Sequence, residues 1–96
     1  MTQHNDEEIL VYVGTYTRGK SKGIYVYRMD PLSGDLEFAS EVTRVRNPTF
    51  LALHPQKRYL YAVSEVGECA GEPSGGVSAI AIQPRTGELT LLNQQL

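Results

Sequence analysis

One cysteine, Cys69, is present in 96 residues, which excludes an internal disulfide and any C-x-x-C metal or redox pair and fits a reducing compartment. Positive charge is not in excess. Nine Lys and Arg stand against eleven Asp and Glu, a formal net charge of -2, where a nucleic-acid-binding domain usually carries a clear basic surplus. No apolar run approaches the roughly 18 residues of a membrane-spanning helix. Residues 1–8 are polar and acidic, without the basic stretch and apolar core of a secretory signal. These absences predict a cytoplasmic protein with neither nucleic acid nor membrane as partner. No metal-ligand cluster or cofactor motif is expected, and no segment reads as helix.

What the chain does contain is a repeat. Residues 23–38, GIYVYRMDPLSGDLEF, return 53 positions later at 76–91 as GVSAIAIQPRTGELTL. Both copies read as strand, tight turn, strand: a leading glycine, an apolar run, then Pro-x-[Ser/Thr]-Gly-[Asp/Glu]-Leu. The preceding strand also recurs, LVYV at 10–13 matching LYAV at 60–63, an offset of 50. That assigns a three-residue length difference to the intervening loop. A period near 50 residues with four short strands matches one blade of a β-propeller, and blades close into rings of roughly 4 to 8.

Seven strand-like runs are bounded by glycine, proline or polar turn residues, at 9–16, 24–30, 36–43, 49–54, 59–65, 77–83 and 89–93. The expected fold class is all-β, with four-stranded antiparallel blades. Residues 1–8 form a disordered tail, 9–43 a blade lacking its inner strand and 49–93 a complete blade. Ile24 and Val26 on one side of a strand and Tyr25, Tyr27 and Met29 on the other suit a sheet packed on both faces. Tyrosines 12, 25, 27, 59 and 61 read as core. Up-and-down alternation gathers the loops 16–23, 44–48 and 66–76 at one end and the tight proline turns at the other. Blade faces left uncovered would also favour self-association.

Several motifs compete for a functional reading. Residues 14–21, GTYTRGKS, fit the P-loop pattern G-x-x-x-x-G-K-[ST], but a P-loop must open a helix, and here glycine with β-branched and aromatic residues follows. The three-loop end collects Arg18, Lys20, Lys22, Arg44 and Arg46, cations that favour an anionic or phosphorylated ligand or form ordinary solvated loops. Glu65, Glu68 and Glu72 offset part of that charge. Glu65 ends an apolar strand and could activate water as a general base; the competing reading is a surface carboxylate. His54 belongs to a turn at the other end, His4 to the polar tail. Cys69 has no histidine near it in sequence and reads as a passive thiol.

The segments VYVGTYT at 11–17, KGIYVY at 22–27, NPTFLA at 47–52 and RYLYAV at 58–63, in this order and spacing, resemble the start of the seven-bladed propeller lactonases of the bacterial 6-phosphogluconolactonase type. The resemblance runs from Ile9 to Leu92. It implies hydrolysis of a sugar-lactone ester, 6-phosphogluconolactone in the pentose phosphate pathway, with a small-molecule sugar-phosphate lactone as ligand and no cofactor. A fungal branch handles carboxy-muconate lactones. Ser64 stands where the family often has asparagine, and the histidine- and arginine-bearing segments of later blades have no counterpart, so the chain is expected to be an N-terminal piece, inactive alone. What carries over is Tyr16, Asn47 and Glu65 as pocket-lining candidates. With the loop cations, the expected set is Glu65 as catalytic base and Tyr16, Arg18, Arg46 and Asn47 for substrate binding. Alternatives are a non-catalytic propeller serving as a binding platform and, given a helix after Ser21, a P-loop nucleotide hydrolase.

Overall fold

The computed structural model describes residues 9–65 and 75–95. Seven strands follow in chain order: β1 (Ile9–Val13), β2 (Ile24–Met29), β3 (Leu36–Val42), β4 (Pro48–Leu53), β5 (Tyr59–Ser64), β6 (Gly76–Ile82) and β7 (Leu89–Gln95). They form two antiparallel meanders, a three-stranded sheet β1-β2-β3 and a four-stranded sheet β4-β5-β6-β7. No helix occurs among the described residues. The tail 1–8 and the residues His4, Glu68, Cys69 and Glu72 lie outside the described residues.

The repeat survives in three dimensions pair by pair. Ile24 opposes Val42 and Tyr25 opposes Glu41, as Val77 opposes Gln95 and Ser78 opposes Gln94, 53 positions on. Even the irregularity recurs. One residue is left unpaired in β3, Ala39, and its counterpart in β7 is Leu92. Such a bulge bends its strand and increases local twist. The connecting turns are closed alike, Gly34 N–H donating to the Asp30 carbonyl at 2.7 Å and Gly87 N–H to that of Gln83 at 2.8 Å. Side chains cap both: Asp30 Oδ1 accepts from Leu32 N–H, and Gln83 Oε1 accepts from Arg85 N–H. Glycine closes each because φ there is +80° and +78°, a region that costs other L-residues about 1 to 2 kcal/mol.

The register corrects the offset expected for the first strand of each unit. Tyr12 pairs with Val26, and Tyr61 pairs with Ala79. Since 79 − 26 is 53, Tyr12 corresponds to Tyr61, an offset of 49 rather than 50. A one-residue slip exchanges every side chain between faces, so the loop between the equivalent strands differs by four residues.

The two sheets pack face to face. Ile24, Val26 and Val42 of the first meet Leu60, Ala62, Ile80, Ile82 and Leu89 of the second, with Val45 from the connection, in a cluster no more than 9% exposed. Tyr12 and Leu51 pack against it. Leu10 lies over Gly87 of the neighbouring blade, and the Tyr12 hydroxyl donates to the Gly87 carbonyl at 3.1 Å. The core is therefore aliphatic, not tyrosine-based as expected. Tyr25 and Tyr27 are half-buried on the outward side of the first sheet, Tyr59 and Tyr61 exposed on the outward side of the second. Sheet faces of alternating residues dictate this division.

Replacing Ile80, fully buried at the sheet interface, by alanine should cost about 2 to 5 kcal/mol in denaturant unfolding. Gly34→Ala and Gly87→Ala, matched in φ, should differ. A Cβ at Gly34 meets open space, whereas one at Gly87 displaces the Leu10 side chain. The Gly87 variant should be the less stable, and the excess should vanish in a Leu10→Ala background. Equal losses would contradict the interlocked-blade packing.

Candidate functional site

β1 ends at Val13, β4 begins at Pro48 and β5 ends at Ser64, so the connection after β1, the residues before β4 and Glu65 converge at one end of the two sheets. Asn47 fastens them together. It is 7% exposed and has φ of 44°, a left-handed conformation that asparagine tolerates better than most residues. Its Oδ1 accepts from the Thr17 backbone N–H at 2.7 Å and from the Thr17 hydroxyl at 3.2 Å. That hydroxyl in turn accepts from the Asn47 N–H. Nδ2 donates to the Glu65 carbonyl at 3.1 Å, and the Asn47 carbonyl accepts from Glu65 N–H and Thr49 N–H. All but the local Thr49 bond join different segments, as buried polar groups demand satisfied partners.

This fastening sets Tyr16 and Glu65 side by side. The Tyr16 hydroxyl donates to Glu65 Oε1 at 2.7 Å across 49 residues of sequence, and the Arg18 guanidinium lies 5.1 Å from the Tyr16 ring centroid, a cation–π distance. Hydrogen bonds from Tyr16 and then Thr49 hold the Glu65 carboxyl below its ordinary value of 4.5. The same bond and the carboxylate charge push the Tyr16 phenol above 10.0. At neutral pH the pair is a carboxylate bonded by a neutral phenol, both side chains exposed to solvent.

Among the sequence-derived candidates, Tyr16, Arg18, Asn47 and Glu65 thus come together, Asn47 with its amide directed at Thr17 and Glu65 of the chain itself. Arg46 is exposed on the β3–β4 connection next to Asn47 in sequence. Thr17 and Thr49, not singled out from sequence, belong to the same cluster. Thr17 ends one of the family-like segments, VYVGTYT, and Thr49 lies inside another, NPTFLA, and that was their one available signal. No set of three or more His, Cys, Asp or Glu among the described residues could hold a metal ion. After residues 14–21 the chain enters β2 and not a helix, so the P-loop match lacks the helix N-terminus that would bind phosphate.

Asn47→Ala should leave the Thr17 N–H and the Glu65 carbonyl without their partner, at a cost of roughly 1 to 3 kcal/mol, and should release Tyr16 from Glu65. In NMR titrations of labelled tyrosine and glutamate, Tyr16 should then titrate closer to 10.0 and Glu65 closer to 4.5. The signs follow from linkage. In the native chain the depressed Glu65 contributes stability above 4.5 that is lost as pH falls through its lowered value. The raised Tyr16 contributes below 10.0 and loses it as pH rises through the raised one. Unchanged titrations in Asn47→Ala would contradict this positioning role.

Residues 10–96 match the family model described as Lactonase, 7-bladed beta-propeller. The chain is 38% identical over 85 residues to the 6-phosphogluconolactonase of Bacillus subtilis, a match covering 88% of this chain and 23% of that protein. A crystal structure from Bacteroides fragilis, named as a candidate 6-phosphogluconolactonase, superposes with a TM-score of 0.85 at 35% identity, covering 99% of this chain and 25% of that one. The periplasmic gluconolactonase of Pseudomonas aeruginosa superposes with a TM-score of 0.77 at 35% identity, covering 91% of this chain and 24% of its own. The chain spans about a quarter of the length of these relatives. With the repeated blades and the matched order of segments, these comparisons establish that the chain belongs to the seven-bladed β-propeller lactonase family.

Proposed function

We propose that this chain forms part of the substrate pocket of a sugar lactonase that hydrolyses 6-phosphogluconolactone to 6-phosphogluconate, the lactone-opening step of the pentose phosphate pathway, in the cytoplasm. The observation that carries the reading is the Tyr16–Glu65 pair, held at the end of two adjacent blades beside Arg18. The names of the Bacillus subtilis and Bacteroides fragilis relatives support the substrate. The single cysteine supports the compartment.

Hydrolysis adds water across the ester. The water oxygen bonds to the carbonyl carbon, the bond from that carbon to the ring oxygen breaks, and the ring oxygen leaves as a hydroxyl. The step needs an acceptor for the water proton, donors for the carbonyl oxyanion and cations for the phosphate. Glu65 is the acceptor in this cluster, Tyr16 adds a hydroxyl, and Arg18 and Arg46 supply positive charge for the phosphate. Asn47 acts by positioning. A carboxylate held below 4.5 is ionised at neutral pH but is a weak base there, because proton-transfer catalysis is most effective with a pKa near the working pH. Most of the rate acceleration is therefore assigned to groups beyond these 96 residues.

Two results follow. The 96-residue chain alone should hydrolyse 6-phosphogluconolactone no faster than the spontaneous reaction. Added 6-phosphogluconate should shift the NMR signals of Tyr16, Arg18 and Glu65 more strongly than gluconate does, and Arg18→Ala should reduce that preference several-fold. Turnover by the chain alone would overturn the division of labour. Equal responses to the two sugars would overturn the phosphorylated substrate.

A further inference from the structure

The Tyr16 hydroxyl carries a single hydrogen, and Glu65 Oε1 accepts it at 2.7 Å. A phenol donates one hydrogen bond at a time, so Tyr16 can serve a substrate oxygen only by leaving the carboxylate. The local structure permits that exchange. On either side of Tyr16 the connection is pinned, Thr15 by its hydroxyl to the Gly23 carbonyl at 2.6 Å and Thr17 by its N–H to Asn47 Oδ1 at 2.7 Å. Between these pins the Tyr16 hydroxyl bonds to Glu65 alone among the described residues, and rotation about side-chain bonds frees it with the backbone in place.

Glu65 is held differently. Its N–H and its carbonyl are both bonded to Asn47, and a second hydroxyl, that of Thr49, bonds to its carboxyl. Thr49 owes its place to an irregularity in β4. Pro48 pairs with Ser64 and Phe50 with Val63, which leaves Thr49 unpaired, and such a bulge re-aims a side chain. The Asn47 carbonyl that accepts from Glu65 N–H at 3.1 Å also accepts from Thr49 N–H at 2.8 Å. One carbonyl therefore fixes Thr49 and Glu65 relative to each other.

We propose, resting on the lactonase reading, that Tyr16 is an exchangeable donor: when the lactone carbonyl enters, the phenol turns from Glu65 to the carbonyl oxygen, and Thr49 keeps the carboxylate oriented. Two effects then coincide. The phenol meets the negative charge that develops on the carbonyl oxygen as water adds, and Glu65 loses the larger of the two hydrogen bonds that hold its basicity down. The water proton passes to Glu65 and from there to the departing ring oxygen. Among the described residues, the titratable or charged groups facing Glu65 are Tyr16 and Arg18, both on the connection after β1; Thr49 and Asn47 on the other side do not titrate.

The probe is D-glucono-δ-lactam, an uncharged ring that keeps the carbonyl and resists hydrolysis, added to the 96-residue chain in NMR titrations. Arg18 signals report its binding, and the Thr17 amide reports that each variant keeps the Asn47 fastening. At saturation Glu65 should titrate closer to 4.5 than in the free chain. Because the complex then binds more protons, lactam affinity should rise as pH falls through the bound value of Glu65 and level off below the free one. Tyr16→Phe should titrate closer to 4.5 without lactam and show neither further movement nor pH-dependent affinity. Thr49→Val should raise the Glu65 value in the free and bound chain alike, and Thr49→Ser should restore it. Lactam that saturates the Arg18 response while Glu65 moves equally in the native chain and Tyr16→Phe, or not at all, would overturn the exchange and leave the lactonase reading standing. Thr49→Val titrating like the native chain would overturn the positioning role. Binding of neither the lactam nor 6-phosphogluconate would overturn the lactonase reading and the exchange together.

Discussion

Everything in this chain hangs on the burial of Ile24 and Val26 against Leu60, Ala62, Ile80 and Ile82. An isolated sheet of three or four strands has two faces to cover, and neither sheet here covers one by itself. Packing the first against the second removes one face of each from water, worth about 1.5 to 3 kcal/mol for each large aliphatic side chain fully buried. Because successive blades stack in one direction, the side that the first sheet buries is the opposite of the side that the second buries. The same constraint that stabilises the pair leaves apolar residues facing outward at both ends.

The candidate site is a consequence of that stacking. Tyr16 belongs to the connection of one blade and Glu65 to a strand end of the next, so their 2.7 Å hydrogen bond exists only while the sheets hold their relative position. Asn47 is the local fastening. Its buried amide converts a blade-to-blade contact into a fixed relation between Thr17 and Glu65. The carboxylate and phenol acquire their shifted titration through each other, a property that neither residue has alone.

Much of this was legible in the letters. The Pro-x-[Ser/Thr]-Gly-[Asp/Glu]-Leu turns foretold both hairpins, because proline and positive-φ glycine have few other uses at such spacing, and seven strands occur where the runs between turn residues placed them, although β1 ends at Val13 rather than Tyr16 and β7 runs on to Gln95. The one-residue error in matching β1 to β5 arose because LVYV and LYAV are apolar throughout, so composition did not reveal which residues face inward. Partner strands decide that, and pairing is not written in either segment. The tyrosines illustrate the same limit: their spacing marks strands, but the burial of a side depends on which neighbour is present. Glu65 and Tyr16 could each be singled out as loop-end polar residues. Their contact spans 49 residues, and the direction of the Asn47 amide toward backbone groups required the folded arrangement.

The central claim is that the two sheets share one core and stand or fall together. Native-state hydrogen exchange measures this directly. If the account is right, the most protected amides of β2 and of β5 and β6 should exchange with the same opening free energy and the same denaturant dependence, as one cooperative unit. Protection of β5 and β6 that persists while β2 opens at markedly lower free energy would show that the four-stranded sheet is stable by itself and would contradict the shared core.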